Sequence, residues 1–595
     1  MSKRHLYNSL DGLVNKGIRG LIAYNPALAF DQSNRVVYNT EYDRSTVSII
    51  SGGGSGHEPA WSGYVGHNML AASVAGDIFA SPSTKQILAG IDAVPSDEGT
   101  ILVVTNYTGD CLHFGLAAEK ANAKGHKCRM IICGDDVSVG KNGTLVGRRG
   151  LAGQLGVLKV MGAASGAGAS LDQVYDLGVA FSQQIVSIAV TLDHCHVPGR
   201  TEHAHTKADE LEIGTGPHNE PGYKTLSPIP SPEDLVKTIL KYLLDETDPI
   251  RGYVNFHEGD EIALLVSNFG GMSYLEMGAL VDELLEQMDT QWKITPVRVI
   301  SGFLETSLNA PAFSVSVVNV SAAARNCSYS IDEIKGFFDA RTNTHWESMA
   351  GSQAHARLRS RKEQIVQSPP APHHVIDDAT DLKIDPGLLD RMLRTACQRL
   401  IEAEPDLTRW DTVMGDGDCG ETLKTGATYL LQALDTKKIA STGSVGTVLL
   451  EVEEILEGKM GGTLGGILGI FFVALRTALV DNFSLLAKEG NISKLWAAAV
   501  RAALDSLTRY TPAKVGDRTV MDTLIPFAEG LAANGSFDEG VEAAVAGAEK
   551  TKTLKPRLGR ATYVGAGEKT NGSGLPPDPG AWGAMVVIKG LQEGL

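Results

Sequence analysis

Residues 100–110 read TILVVTNYTGD, and this stretch decides the fold of the first half of the chain. From Thr100 to Thr105 the side chains are apolar or β-branched without a break. Asn106-Tyr-Thr-Gly-Asp110 then turns into an Ala/Leu/Glu-rich segment with helical spacing. A strand that is apolar on both faces is covered on both faces, which predicts a parallel sheet flanked by helices. Upstream, Ser45–Ile50 reads as a strand opening onto glycines; downstream, Lys127–Cys133 (KCRMIIC) reads as another, ending at Gly134-Asp-Asp. A second strand–helix series starts near Glu261 with IALLVSNFGG, continues with a helix from about Met272 to Met288, then KITPVRVIS and AFSVSVVNVS. Between the two series, Arg200–Pro232 is polar and proline-rich without a period. Two α/β subdomains are therefore expected, about 7–195 and 200–345, inside a first half spanning 7–352.

From 353 to 386 the chain is charged and rich in Pro and His, a linker by composition. Beyond it the β-branched runs vanish. Leu388–Ala403, Leu423–Leu434, Gly443–Glu457, Leu464–Val480, Ile492–Leu507, Thr519–Ala533 and Phe537–Lys550 carry apolar residues at helical spacing, so 387–592 is expected to be an all-α domain. Its apolar run Leu464–Leu475, closed by Arg476, is shorter than the ~18 residues of a membrane span and reads as a buried helix. A chain of 595 residues needs several such cores.

With 53 basic and 70 acidic residues the net charge is −17, which argues against nucleic acid or an anionic membrane as main partner. Seven cysteines without a CxxC pair read as reduced thiols in the cytoplasm. No apolar h-region follows Met1-Ser-Lys-Arg-His5, so a secretory signal is not expected. The 66 glycines follow no G-X-Y period and suit close-approach loops instead.

Two phosphate-site templates fail. Gly52-Gly-Gly-Ser-Gly56-His57 lacks the third glycine of G-x-G-x-x-G, and Gly134–Asn142 has one residue too many for a P-loop and no Ser/Thr at its end. Asp411-Thr-Val-Met-Gly-Asp416-Gly-Asp418 puts three carboxylates in eight residues before a helix. Such charges repel unless a cation joins them, and oxygen-only donors suit Mg²⁺ or Ca²⁺. An EF-hand is excluded because its twelfth position is Thr422; an Asp-Gly turn with a helix N-cap is the plainer alternative. Lys459-Met-Gly-Gly-Thr463-Leu-Gly-Gly466, opening the apolar helix, offers free backbone N–H groups as a phosphate cradle, or a close-packed helix entry. In the first half, SGGGSGHEP (51–59), NYTGD (106–110) and EIGTGPHNEPG (212–222) set His and Asp on glycine-rich loops after strands, where α/β sheets bind ligands. Asp193-His-Cys-His196, with His203 and His205, invites a zinc reading, but neighbouring side chains point apart and no second cysteine pair exists; the cluster reads as structural.

In this order, ISGGGSGHEP, NYTGD, GDD, GRRGLAG, LDHCHVPG, HNEPG, linker, GDGDCG, MGGT, GDRT, GRATYVG and DPGA, the motifs resemble the single-chain, ATP-dependent dihydroxyacetone (glycerone) kinases from about residue 7 to 592. The resemblance implies two α/β subdomains forming a ketone-binding half and homodimer, followed by an all-α, barrel-like nucleotide-binding domain. It implies His218 as the residue that bonds the substrate carbonyl as a hemiaminal, Asp110 as catalytic base, and His57 as its hydrogen-bonding catalytic partner. Gly54, Ser55, Gly56 and Thr105 fall on substrate-contacting positions. Asp411, Asp416 and Asp418 match the Mg²⁺ ligands, with two ions implied. Gly417, Cys419, Thr463, Leu464, Arg560, Asp578, Pro579 and Gly580 match ATP-binding positions. Four positions depart from the family pattern: Thr105 stands where a Lys is usual, Trp61 and Leu158 each replace a His, and Leu464 replaces a Ser; the loop between Val564 and Asp578 is also longer than the family's. These departures keep open a kinase for another short ketose or glyceraldehyde. A lyase cleaving FAD to AMP and cyclic FMN, and a ketone sensor without catalysis, are the other classes.

Overall fold

The computed structural model describes residues 5–140, 145–200, 205–346, 361–366, 369, 376–483, 492–558, 560–563 and 575–595. Residues 353–360, 367, 368 and 370–375 of the linker stretch, Lys141 and Asn142 of the P-loop-like segment, His203, and residues 564–574 of the loop before Asp578 lie outside them. The chain divides into two compact units, Met1–Val366 and Gln367–Leu595.

The first unit holds two six-stranded sheets. One contains β1 (Leu28–Asp31), β2 (Val36–Asn39), β3 (Ser48–Ser55), β4 (Ala72–Ile78), β5 (Thr100–Thr105) and β6 (Cys128–Cys133), in the order β1-β2-β4-β3-β5-β6. The other contains β7 (Ile185–Thr191), β8 (Leu211–Ile213), β9 (Lys224–Leu226), β10 (Ile262–Asn268), β11 (Arg298–Gly302) and β12 (Ala312–Asn319), in the order β11-β10-β12-β7-β8-β9. The side-chain period of two sorts each strand between two cores. On β5, Ile101 and Val103 join a core that also takes Ala263, Leu265 and Val318 from the other sheet, while Leu102 and Val104 face the helices Thr84–Ala93 and Thr108–Ala123. Between the sheets runs the helix Gln154–Gly166, buried over almost its whole length. The outer face of the second sheet packs on Pro232–Leu244 and Tyr274–Trp292.

Parallel pairing holds for β3 with β4 and β5, and for β5 with β6. In the second sheet only β10 and β11 are parallel; β12 pairs antiparallel with both β10 and β7. Burial on both faces fixes apolarity but not direction, which is why the runs alone did not separate the cases. The second sheet also begins earlier than the composition suggests: β7 precedes the polar segment, and β8 and β9 lie within it.

The second unit is helical. Its first helix runs through Pro405 from Pro386 to Met414, past the expected end at Ala403, so Asp411 stands in its last turn. A final helix, Pro579–Glu593, is additional to those expected; Asp578 caps it with Pro579 in the first turn, a start signal visible in the sequence. The helices surround a cavity of about 560 Å³ lined almost wholly by apolar side chains, among them Leu389, Leu449, Phe471, Trp496 and Leu524. The expected buried helix is Gly462–Asn482, 21 residues, long and apolar enough to cross a membrane, with only 28% of its most apolar window buried. Leu464, Leu468, Phe471, Phe472 and Leu475 face the cavity instead, and Arg476 pairs with Glu453 at 2.6 Å.

Candidate functional site

In the first unit the site forms where β3 and β5 end. β3 runs into Gly52–Gly56, and the chain passes so close to Phe79 that a Cβ on Gly56 (φ +103) would stand 2.8 Å from the Phe79 ring. This brings His57 to the end of the sheet, buried and stacked on Phe79 at 5.3 Å. Its Nδ1 lies 2.8 Å from the Thr306 carbonyl oxygen, and its Nε2 lies 3.0 Å from Nε2 of His218.

His218 rides on a turn held from two sides. Ser307 Oγ donates to the Pro217 carbonyl at 2.5 Å, and the Cys195 backbone exchanges two hydrogen bonds with the Asn219 side chain. The DHCH segment thus serves as a buttress. Among the described residues, only Asp411, Asp416 and Asp418 bring three candidate metal-ligand atoms together. Glu220 accepts the His218 backbone N–H at 2.8 Å and faces its Nδ1 at 3.2 Å. Burial alone would raise the Glu220 pKa, but the hydrogen bond and charge of His218, with Arg149, hold it at about 2.

Hydrogen-bond bookkeeping fixes the protons of this pair. A carbonyl beside His57 Nδ1 and a carboxylate beside His218 Nδ1 both require N–H. The Nε2–Nε2 contact requires one proton between the rings. Three protons over two imidazoles leave the pair with one positive charge, placed beside Glu220. Burial and the neighbouring His218 push the His57 pKa down to about 3.

Asp110 sits in the first turn of Thr108–Ala123, buried, with Oδ1 lacking any hydrogen bond. Burial raises its pKa above 3.8, partly countered by Ser81 and His218. Tyr107, edge-on to His218 at 4.7 Å, carries a buried hydroxyl that is likewise unpaired. Several expected substrate contacts are committed within the protein: Thr105 donates to Gln154 at 2.8 Å, Ser55 to the Gly76 carbonyl at 2.9 Å, and the Gly56 N–H to Glu58 at 3.0 Å. Gly54 is pressed against the backbone of Phe79 and Ala80, where a Cβ would clash at 2.9–3.1 Å. Leu158 is a fully buried core residue.

In the second unit the turn after Met414 gathers the acidic trio, whose ligand oxygens all lie within 4.8 Å of one another. Asp411 Oδ2 accepts the N–H groups of Gly417 (φ +84) and Cys419 at 3.1 Å each, which folds the loop back on the helix end. Asp418 precedes the next helix but makes no side-chain cap bond; Asp411 is the carboxylate that accepts the N–H of that helix's first residue. Carboxylates converging without a cation are costly, so the donor set fits a hard divalent ion. Asp578 caps the last helix by accepting the Ala581 N–H at 2.8 Å. Burial raises its pKa to about 6; Arg518 opposes this, and Asp522 and Asp411 add to it, so the DPG turn and the acidic loop share one electrostatic neighbourhood. The helix Gly462–Asn482 opens without a side-chain cap, with Thr463 exposed in its first turn, while the Leu464 side chain faces the cavity. Arg560 begins a short 3₁₀ turn; its side chain lies outside the described residues.

Glu220, Tyr107, Phe79 and Thr306 join the site without having been singled out. Glu220 lies within the HNEPG motif, whereas Thr306 follows β11 and carries no local signal.

The Dak1 domain family matches residues 19–346 and the DAK2 domain family matches 413–593. The dihydroxyacetone kinase of Pichia angusta is 41% identical, with 100% of this chain and 98% of that protein covered. The human triokinase/FMN cyclase is 32% identical, with 100% and 99% covered. Among solved structures, the dihydroxyacetone kinase from C. freundii in complex with AMP-PNP and Mg²⁺ superposes with a TM-score of 0.61 at 28% identity, covering 100% of both chains.

Proposed function

The chain belongs to the dihydroxyacetone kinase family, and from that premise we propose how its residues phosphorylate dihydroxyacetone with ATP. The observation that carries the reading is the His57–His218 contact at 3.0 Å beside the unpaired Asp110 oxygen.

Glu220 keeps the proton on His218 Nδ1, so that Nε2 is the nitrogen that reacts. As Nε2 bonds to the carbonyl carbon, the proton between the rings passes to His57 and on to the carbonyl oxygen, whose π bond to carbon breaks. The hemiaminal keeps its positive charge on His218 next to Glu220, and His57 ends neutral. An alcohol such as glycerol offers no electrophilic carbon and is excluded by chemistry. Asp110 Oδ1 then takes the proton of the terminal hydroxyl as that oxygen attacks phosphorus. Magnesium, when bound, neutralises phosphate charge; Asp411, Asp416 and Asp418 would hold it, two ions in this reading. The uncapped helix start at Thr463 offers N–H groups to phosphate, and the Asp578-Pro-Gly580 turn, with Arg560, completes the nucleotide site.

Purified protein with Mg·ATP should release ADP with dihydroxyacetone and not with glycerol. A panel of short ketoses and glyceraldehyde tests whether Thr105 and Trp61 have shifted preference, and absence of turnover across the panel would overturn the reading. A second activity, cyclisation of FAD to AMP and cyclic FMN, is favoured by the name of the human relative and is tested by incubation with FAD and Mn²⁺. The seven free cysteines support a cytoplasmic location. A homodimer through the α/β unit is tested by sedimentation, and the apolar cavity supports the barrel-like description of the helical unit.

A further inference from the structure

Trp61 lies five residues beyond the glycine loop and is 5% exposed. Its indole Nε1 stands 3.1 Å from the point a Cβ on Gly53 would occupy, and Asp110 Oδ1 stands 3.9 Å from that same point. Both atoms lie on the side of Gly53 where a side chain would stand. One is a donor that finds no acceptor among the described residues; the other is a buried acceptor without a donor. A buried acceptor such as Asp110 Oδ1 is destabilising while no donor reaches it. A hydroxyl is the simple group that answers both, since its oxygen accepts one hydrogen bond while its proton is given to another. A keto oxygen would satisfy only the indole, and a methyl neither.

We propose that Trp61 is a substrate-contacting residue whose indole N–H holds the oxygen of the hydroxyl that Asp110 deprotonates. The assignment rests on the reading of Asp110 as base. It makes this side of Gly53 a hydroxyl-reading subsite, distinct from carbonyl capture at His218. The N–H fixes the oxygen, its proton points to Asp110, and the remaining lone pair is left for phosphorus. A buried site built around a hydroxyl discriminates against analogues that lack one.

The test compares two carbonyl-labelled ketones by ¹³C NMR, dihydroxyacetone and acetone, the latter having a carbonyl and no hydroxyl. In Trp61→Phe, adduct formation with dihydroxyacetone should weaken about ten-fold, the loss of one hydrogen bond, while that with acetone stays unchanged. Equal weakening for both ketones would mean that the ring merely packs, and no weakening would mean that the N–H contacts nothing; either overturns the proposal. Should the variant fail to fold, the wild-type enzyme still decides. One of its six indole ¹H–¹⁵N signals should move with dihydroxyacetone and not with acetone, and six unmoved signals would overturn the assignment. Absence of any adduct in the wild-type enzyme would instead remove the His218 reading, with the indole signals still reporting on Trp61.

Discussion

At the scale of single residues, capture and deprotonation fall to different groups, and the variants should separate them. His218→Ala should abolish the ketone adduct seen by ¹³C NMR. Asp110→Asn should keep the adduct and lose ADP release by 10²-fold or more, because the hydroxyl has no proton acceptor. For the unaltered enzyme, the acid limb of kcat/KM should fall above the ordinary 3.8 of an Asp, since burial raises Asp110; a limb at or below 3.8 would exclude it as the base. Glu305, 3% exposed and next to Thr306, bears on stability. Burial, with Asp135 nearby, raises its pKa to about 8. The folded state therefore keeps a proton that the unfolded chain releases near 4.5, and stability falls as pH rises between these values. Glu305→Gln removes this slope, so its stability relative to wild type should improve from pH 5 to pH 8 by up to a few kcal/mol, measured by urea unfolding. The sequence made His57, Asp110 and His218 legible because each follows a strand or sits among glycines. It left Glu305 and Thr306 silent because their roles arise from burial and from a contact spanning 249 positions.

Among elements, the start of Gly462–Asn482 shows how closely two readings of a glycine-rich helix entry can sit. A Cβ on Gly465 would stand 2.0 Å from the Met460 carbonyl oxygen, whereas one on Gly466 would meet nothing within 4 Å. Gly465→Ala should therefore destabilise the helical unit by 1–3 kcal/mol as the turn is forced apart. Gly466→Ala should be neutral or stabilising by up to about 1 kcal/mol, following helix propensity. Thermal melts of both variants check the contrast. So the segment is a packing device and, through its exposed N–H groups, a candidate cradle. The helices of this unit were legible from their apolar spacing. The continuation through Pro405 was not, because a proline ordinarily marks an end and here the helix absorbs it.

For the molecule as a whole, the proposed division of labour assigns the carbonyl to one unit and the metal-holding carboxylates to the other. Asp416→Asn should thus eliminate ADP release while leaving the ketone adduct unchanged; loss of the adduct would break the assignment. The α/β-then-helical order was readable from where β-branched runs stop. Strand direction was not, since it is decided by which strands meet in space. β7 is buried along its full length, and its long partner is β12, from which it is separated by about 120 residues of chain. A ribosome adding ~5–20 residues per second leaves β7 without that partner for about 6–24 s after it is made. During translation Ile185–Thr191 is thus an apolar strand with an open edge, of the kind that recruits wrong neighbours. Slower elongation between codons 192 and 312 should lengthen that exposure and lower soluble yield, with the finished protein unaltered.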